Sequence, residues 1–197
     1  MAEATETTGP ARAGLYERLV GDGWGGLAEP VRRFHTYDGE LRGEGTFTVR
    51  RGTARAARVI ARLLGLPEAG EAVPLLLSVK TLSGGGERWR RTFAGKDFIT
   101  EQHEHAGPLL AERTGPFELL YRLTAEGGAL AYRQEGAALR AGRLRVRLPR
   151  RLAPRVEALE RAARGGAGVD VSVSVTAPLF GLLVEYEGRV TTKEEAG

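Results

Sequence analysis

The sequence predicts an α+β domain that is mainly antiparallel β, a strongly curved sheet or barrel of about eight to nine strands packed with about three helices. Three observations carry this. Most of the chain after Val73 alternates apolar and polar residues with a period of two. The alternating runs are separated by short glycine-rich turns, which force antiparallel neighbours. Helical periodicity is confined to a few short pieces, and a meander this long curls to hide its edges.

Composition sets the outer limits. The 197 residues suit one domain, expected over 12–191, between a disordered leader (1–11) and a frayed tail (192–197). The leader has no basic start followed by an apolar run, so no signal peptide is expected. No stretch nears the roughly 18 apolar residues that span a bilayer, so no membrane span is expected. Absence of cysteine excludes a disulfide framework, thiolate metal sites and a cysteine nucleophile, and fits a cytoplasmic setting. The net charge is +4, and all 29 basic residues except Lys80, Lys96 and Lys193 are arginine. The densest basic run is Arg140–Arg155. Codon bias in a GC-rich genome is the ordinary explanation, and nucleic acid or acidic lipid is the functional alternative. The run lacks interleaved aromatics and nucleic-acid-binding signatures, so no nucleic-acid partner is expected.

Leu15, Leu19 and Val20 begin a helix that Gly21-Asp22-Gly23 stops, and Pro30–His35 reads as a turn and short helix. Thr46–Arg50 is a strand. Gly52–Leu64 is an amphipathic helix with Ala56, Val59, Ile60, Leu63 and Leu64 on one face. Strands are expected over Val73–Leu82, Arg88–Phe93, Phe98–His105, Leu109–Glu112, Phe117–Leu123, Leu130–Gln134 and Leu139–Leu148. In the last of these, Leu144, Val146 and Leu148 form the buried face and Arg143, Arg145 and Arg147 the wet one. Pro149–Arg164 holds a second amphipathic helix, with Val156, Leu159 and Ala163 as its apolar side. Val169–Thr176 and Leu182–Thr191 are the final strands.

Several pieces together resemble a bacterial family called domain of unknown function 4166. They are Leu15-Tyr16-Glu17-Arg18-Leu19, Leu27-Ala28-Glu29-Pro30-Val31-Arg32-Arg33-Phe34-His35, Gly85-Gly86-Glu87-Arg88-Trp89, Phe93-Ala94-Gly95, Leu152-Ala153-Pro154-Arg155-Val156-Glu157-Ala158 and Pro178–Gly188. The resemblance runs from about Leu15 to Val190. It implies little chemistry. Some members resemble C-terminal partners of dinucleotide-binding oxidoreductase domains, but here Gly84–Gly86 sits in an expected hairpin and is no dinucleotide fingerprint.

Three groups of side chains could carry chemistry. His35, ending the Pro30–His35 segment, is either a helix-end histidine with one backbone hydrogen bond or a general acid/base. Glu101, His103 and His105 share one strand face, a weak divalent-metal candidate whose ordinary reading is a solvated strand end. Trp89 and Arg91 share a face and could grip an anionic or planar ligand, although a core Trp beside solvated arginines is commoner. Trp24 could plug a barrel end or act as a lid. Gln102 and Tyr186 complete the catalytic candidates. Glu157 and Glu160, three apart on the expected helix, are most simply surface ion-pair partners of Arg161 and Arg164. The leading expectation is a cofactor-free pocket for a small, largely apolar molecule, with cyclase or isomerase chemistry on His35, Gln102 and Tyr186 if it is an enzyme. The alternatives are an interaction module with a basic docking face, a homodimer included, and a metal hydrolase on Glu101, His103 and His105.

Overall fold

The computed structural model describes residues 13–165 and 167–193. The expected leader, 1–11, lies outside the described residues, and so does most of the expected tail. Helix α1 (Leu15–Val20), a 3-10 turn (Gly21–Gly26) and α2 (Glu29–Phe34) come first. Strand β1 (Glu40–Arg51) and helix α3 (Arg55–Leu63) lead into a meander of β2 (Gly70–Thr81), β3 (Glu87–Phe93), β4 (Lys96–His105), β5 (Leu109–Thr114), β6 (Phe117–Glu126) and β7 (Ala129–Ala141). Then follow β8 (Leu144–Arg147), β9 (Arg155–Ala162), β10 (Val169–Ala177) and β11 (Gly181–Lys193).

Every neighbouring pair is antiparallel. Strands β1 to β7 pair in sequence, β9 to β11 continue, and β11 returns to β1 with Phe47 opposite Gly188. The sheet is therefore a closed ten-stranded barrel, and β8 pairs outside it on β7. Closure removes the exposed edges that an open sheet would present. It also demands close approach: a Cβ at Gly188 would lie 2.2 Å from the Thr46 carbonyl oxygen and 2.6 Å from the Phe47 ring.

The eleven strands exceed the expected eight to nine, and one of the additions is β9, which stands in Pro149–Arg164 in place of the expected helix. Its residues are good helix formers, yet Val156, Ala158 and Glu160 also alternate. The ring needs a strand between β7 and β10, and a helix there would leave both neighbours' backbone groups unpaired. A second correction concerns Leu139–Leu148. β7 runs unbroken to Ala141, Gly142 turns the chain at φ 58°, and β8 returns. Its polarity is opposite to expectation: Leu144 and Val146 are exposed, while Arg145 turns in toward buried Glu118. Helix α3 is rotated as well, burying Ala57 and Ala61 and exposing Val59 and Leu63. Among the described residues no helix is long and apolar enough to cross a membrane.

Helices α1 and α2 close one end of the barrel, where Tyr16, Val31 and Phe34 are buried and the Ala28 N–H donates to the Gly128 carbonyl at 2.9 Å. Helix α3 follows β1 at the opposite end.

Candidate functional site

The inward positions of the strands are set by the pleat, because alternate residues face the same side. On β3 these are Glu87, Trp89, Arg91 and Phe93, and on β4 Thr100 and Gln102, while Arg88 and Arg90 point to solvent. The interior is thus not purely apolar. At the α1–α2 end, its polar groups join into one chain.

The Glu160 carboxylate accepts from His35 Nε2 at 2.6 Å and lies 2.9 Å from the Tyr132 hydroxyl. The Tyr132 hydroxyl is 3.1 Å from that of Tyr16, which donates to Gln102 Oε1 at 2.6 Å. Gln102 Nε2 then donates to Glu112 at 3.2 Å. Tyr16 also stacks on His35, with ring centroids 3.7 Å apart. Three oxygen–oxygen contacts between Glu160 and Gln102 have only two phenolic protons to fill them. The two phenolic protons therefore fill two of these three contacts. Burial pushes the Tyr16 and Tyr132 phenols well above their ordinary range, which keeps both protonated.

Farther into the barrel, Arg91 Nη1 donates to Thr100 Oγ1 at 3.0 Å and lies 3.8 Å from Glu112. Its guanidinium sits 4.8 Å over the Trp89 ring, and Trp89 Nε1 donates to Glu87 at 2.8 Å. Burial raises the Glu87 carboxyl above the usual range. A cavity of about 120 Å³ lies along the axis, lined toward α1–α2 by Trp89, Gln102, Tyr132 and Glu160, and toward α3 by Leu64, Leu66, Phe98 and Phe117. Tyr121 and Tyr186 are on its wall. The Tyr121 hydroxyl is buried and has no hydrogen-bond partner among the described residues. Burial, opposed by Arg91, puts the Tyr186 phenol at about 12, so at neutral pH it is a proton donor and not a base.

The barrel wall has a seam. β7 and β9 pair only over Leu130–Tyr132 before β7 leans away toward β8. There the Gln134 side chain stands in for a strand. Its Nε2 donates to the Pro154 carbonyl at 2.8 Å and its Oε1 accepts from the Val156 N–H at 2.7 Å. Tyr132, Val156 and Tyr186 line both the cavity and the outer groove along this seam.

Trp89, Arg91, Gln102 and Tyr186 all line the cavity. His35 is drawn into the polar chain but is 2% exposed under Tyr16, Phe34 and Trp89 and does not line the cavity. Trp24 lies in the 3-10 turn, packed on the core away from the cavity lining. Glu101, His103 and His105 share the outer face of β4, where Glu101 accepts from Arg88 at 2.6 Å. Burial and nearby Arg113 hold the His103 imidazole below its ordinary range. Among the described residues no group of three His, Asp or Glu is placed to hold a metal, so that arrangement has no geometric support. Glu160 is not a surface ion-pair partner: β9 turns it inward and Glu157 outward. Tyr16, Glu112, Tyr121 and Tyr132 escaped the sequence reading. The available signal was Glu112, Tyr121 and Tyr132 at inward parity on three strands and Tyr16 on the buried side of α1, visible only once their partners are known.

The model of the family described as "Domain of unknown function (DUF4166)" matches residues 27–190. No curated protein matches the chain. Among solved structures, a protein of unknown function from the DUF3598 family of Nostoc punctiforme is similar, with 10% sequence identity and a TM-score of 0.45. The alignment covers 79% of this chain and 47% of that one, so the chain spans about half the length of that protein.

Proposed function

The chain belongs to the DUF4166 family, and we propose that it is a small-molecule-binding barrel whose ligand is largely apolar and carries one polar group. The observation that carries this reading is Tyr121: a phenolic hydroxyl buried on a mostly apolar cavity wall without a partner. Leaving such a hydroxyl unsatisfied costs about 1–3 kcal/mol, so a ligand carbonyl or hydroxyl bonded there recovers that energy. The cavity is near the size of one that holds benzene, about 150 Å³. A single ring or short branched chain suits it, and a long acyl chain does not. Arg91, Glu112 and Trp89 then orient the polar end. Glu160, bonded to His35, is the group on this wall placed to exchange a proton with a bound molecule. Isomerisation is therefore the chemistry closest to this geometry.

The test is Tyr121→Phe, read by thermal shift against a panel of small phenols and cyclic ketones. Without ligand, the variant is expected to be as stable as the parent or more so, because an unpaired hydroxyl is removed. Its affinity for panel members that bind the parent falls about three- to tenfold, the value of one hydrogen bond. Unchanged affinities, or a panel with no binder at all, would overturn the reading.

A further inference from the structure

The side wall of the barrel is charge-balanced. Arg88 pairs with Glu101, Arg122 with Glu135, Arg133 with Glu126 and Arg189 with Asp170. The α3 end is not. From Gly136 to Val156 the chain has seven arginines and no carboxylate. Arg140 and Arg145 are taken up by Glu118. Arg143, Arg147, Arg150, Arg151 and Arg155 are exposed and have no ion-pair partner among the described residues.

Most of the exposed large apolar side chains gather at the same end, with Leu76 and Ile99 on the side wall. Antiparallel pairing places the end of β1, the start of β9, the β10–β11 turn and the β7–β8 hairpin together, since Arg155 opposes Thr176, Arg51 opposes Val184 and Leu139 opposes Phe117. These segments leave Leu63, Leu144, Val146, Leu152, Leu179 and Phe180 in solvent, with Leu63 at 80% and Leu179 at 90% exposure. Leu179 is also held at φ 73°, a left-handed conformation that an L side chain adopts at a cost. A strained, fully exposed leucine gains nothing from the fold, and such outliers cluster where a surface has work to do.

We propose that the α3 end docks on an anionic phospholipid bilayer. Unpaired guanidiniums bind anionic headgroups, and aliphatic side chains set among them reach the acyl boundary. A nucleic-acid surface would instead pair its arginines with stacking aromatics, and among the described residues Phe180 is the one exposed aromatic at this end. The apolar half of the cavity, from Leu64 to Phe117, lies at this end. Docking therefore sets it against the phase in which small apolar molecules concentrate.

The test is co-sedimentation of the full chain with large vesicles. The expected result is binding to phosphatidylcholine containing about one-third phosphatidylglycerol, weakening as salt rises, and none to phosphatidylcholine alone. Reversing two guanidiniums (R150E with R151E) is expected to weaken binding on the order of tenfold or more. A second variant, L152S with L179S, alters only exposed side chains and is expected to weaken it at constant charge. No binding to the anionic vesicles would overturn the proposal. So would variants that bind like the parent, or duplex DNA at equal phosphate displacing the protein completely. The pocket reading fails separately: a chain that binds vesicles but none of the phenols and ketones refutes the pocket alone, and the converse refutes docking alone.

Discussion

Glu118 is fully buried, and three arginines surround it: Arg145 at 2.5 Å, Arg140 at 2.9 Å and Arg113 at 3.0 Å. Burial alone would raise its carboxyl, but the hydrogen bonds from Arg145, Arg113 and Arg140 outweigh it and bring the group down to about 2. The folded value lies below the unfolded one near 4.5. The stabilisation is therefore complete above about pH 4.5 and disappears as pH falls toward 2. It amounts to up to about 3 kcal/mol before solvent around the partly exposed arginines screens it. Glu118→Gln is expected to lower the urea midpoint at pH 7 and to flatten its decline between pH 4.5 and 2. Parallel pH profiles for the two proteins would show that the cluster contributes nothing. This residue also marks a limit of the sequence. Arg143, Arg145 and Arg147 read as a wet face because arginines are usually exposed, and a carboxylate 27 positions away reverses that for Arg145.

At the scale of elements, the weak point is the junction of β7 and β9. The ladder there is three residues long, and the Gln134 amide extends it by imitating a peptide group. Gln134→Ala leaves the Pro154 carbonyl and the Val156 N–H unpaired at a partly buried position. The expected cost is about 2 kcal/mol, with faster amide exchange at Val156 than at β1 or β2. Exchange that is unchanged at Val156 would mean the seam is held by packing. The same junction explains the misread element. Arg155–Ala162 satisfies a helical pattern through Val156 and Leu159 and a strand pattern through Val156, Ala158 and Glu160. Intrinsic propensity favours the helix, and two neighbouring strands with free backbone groups favour the strand. Tertiary pairing is worth more than propensity over eight residues, so β9 is a strand.

For the whole molecule, closure means that eight of the ten barrel strands cannot leave without opening two ladders along their length, while β7 and β9 meet over only three residues. Unfolding is expected to be one transition. Far-UV circular dichroism and tryptophan fluorescence should give the same midpoint, since Trp89 is inside the barrel and Trp24 packs at the α1–α2 end. Two separate midpoints would show that the helical plug folds independently of the ring.

The sequence by itself determined the family, the antiparallel β character and that Trp89 and Arg91 share one strand face. Each rests on local information: quoted motifs, a period of two, and turns short enough to force neighbours to run in opposite directions. Only the tertiary structure decided that the sheet closes, that β9 is a strand, that Glu160 meets His35 across 125 positions, and that Leu144 and Val146 face solvent. Those outcomes depend on which long-range partner competes best for a backbone edge or a buried charge, and alternation along a single segment holds no record of the partner.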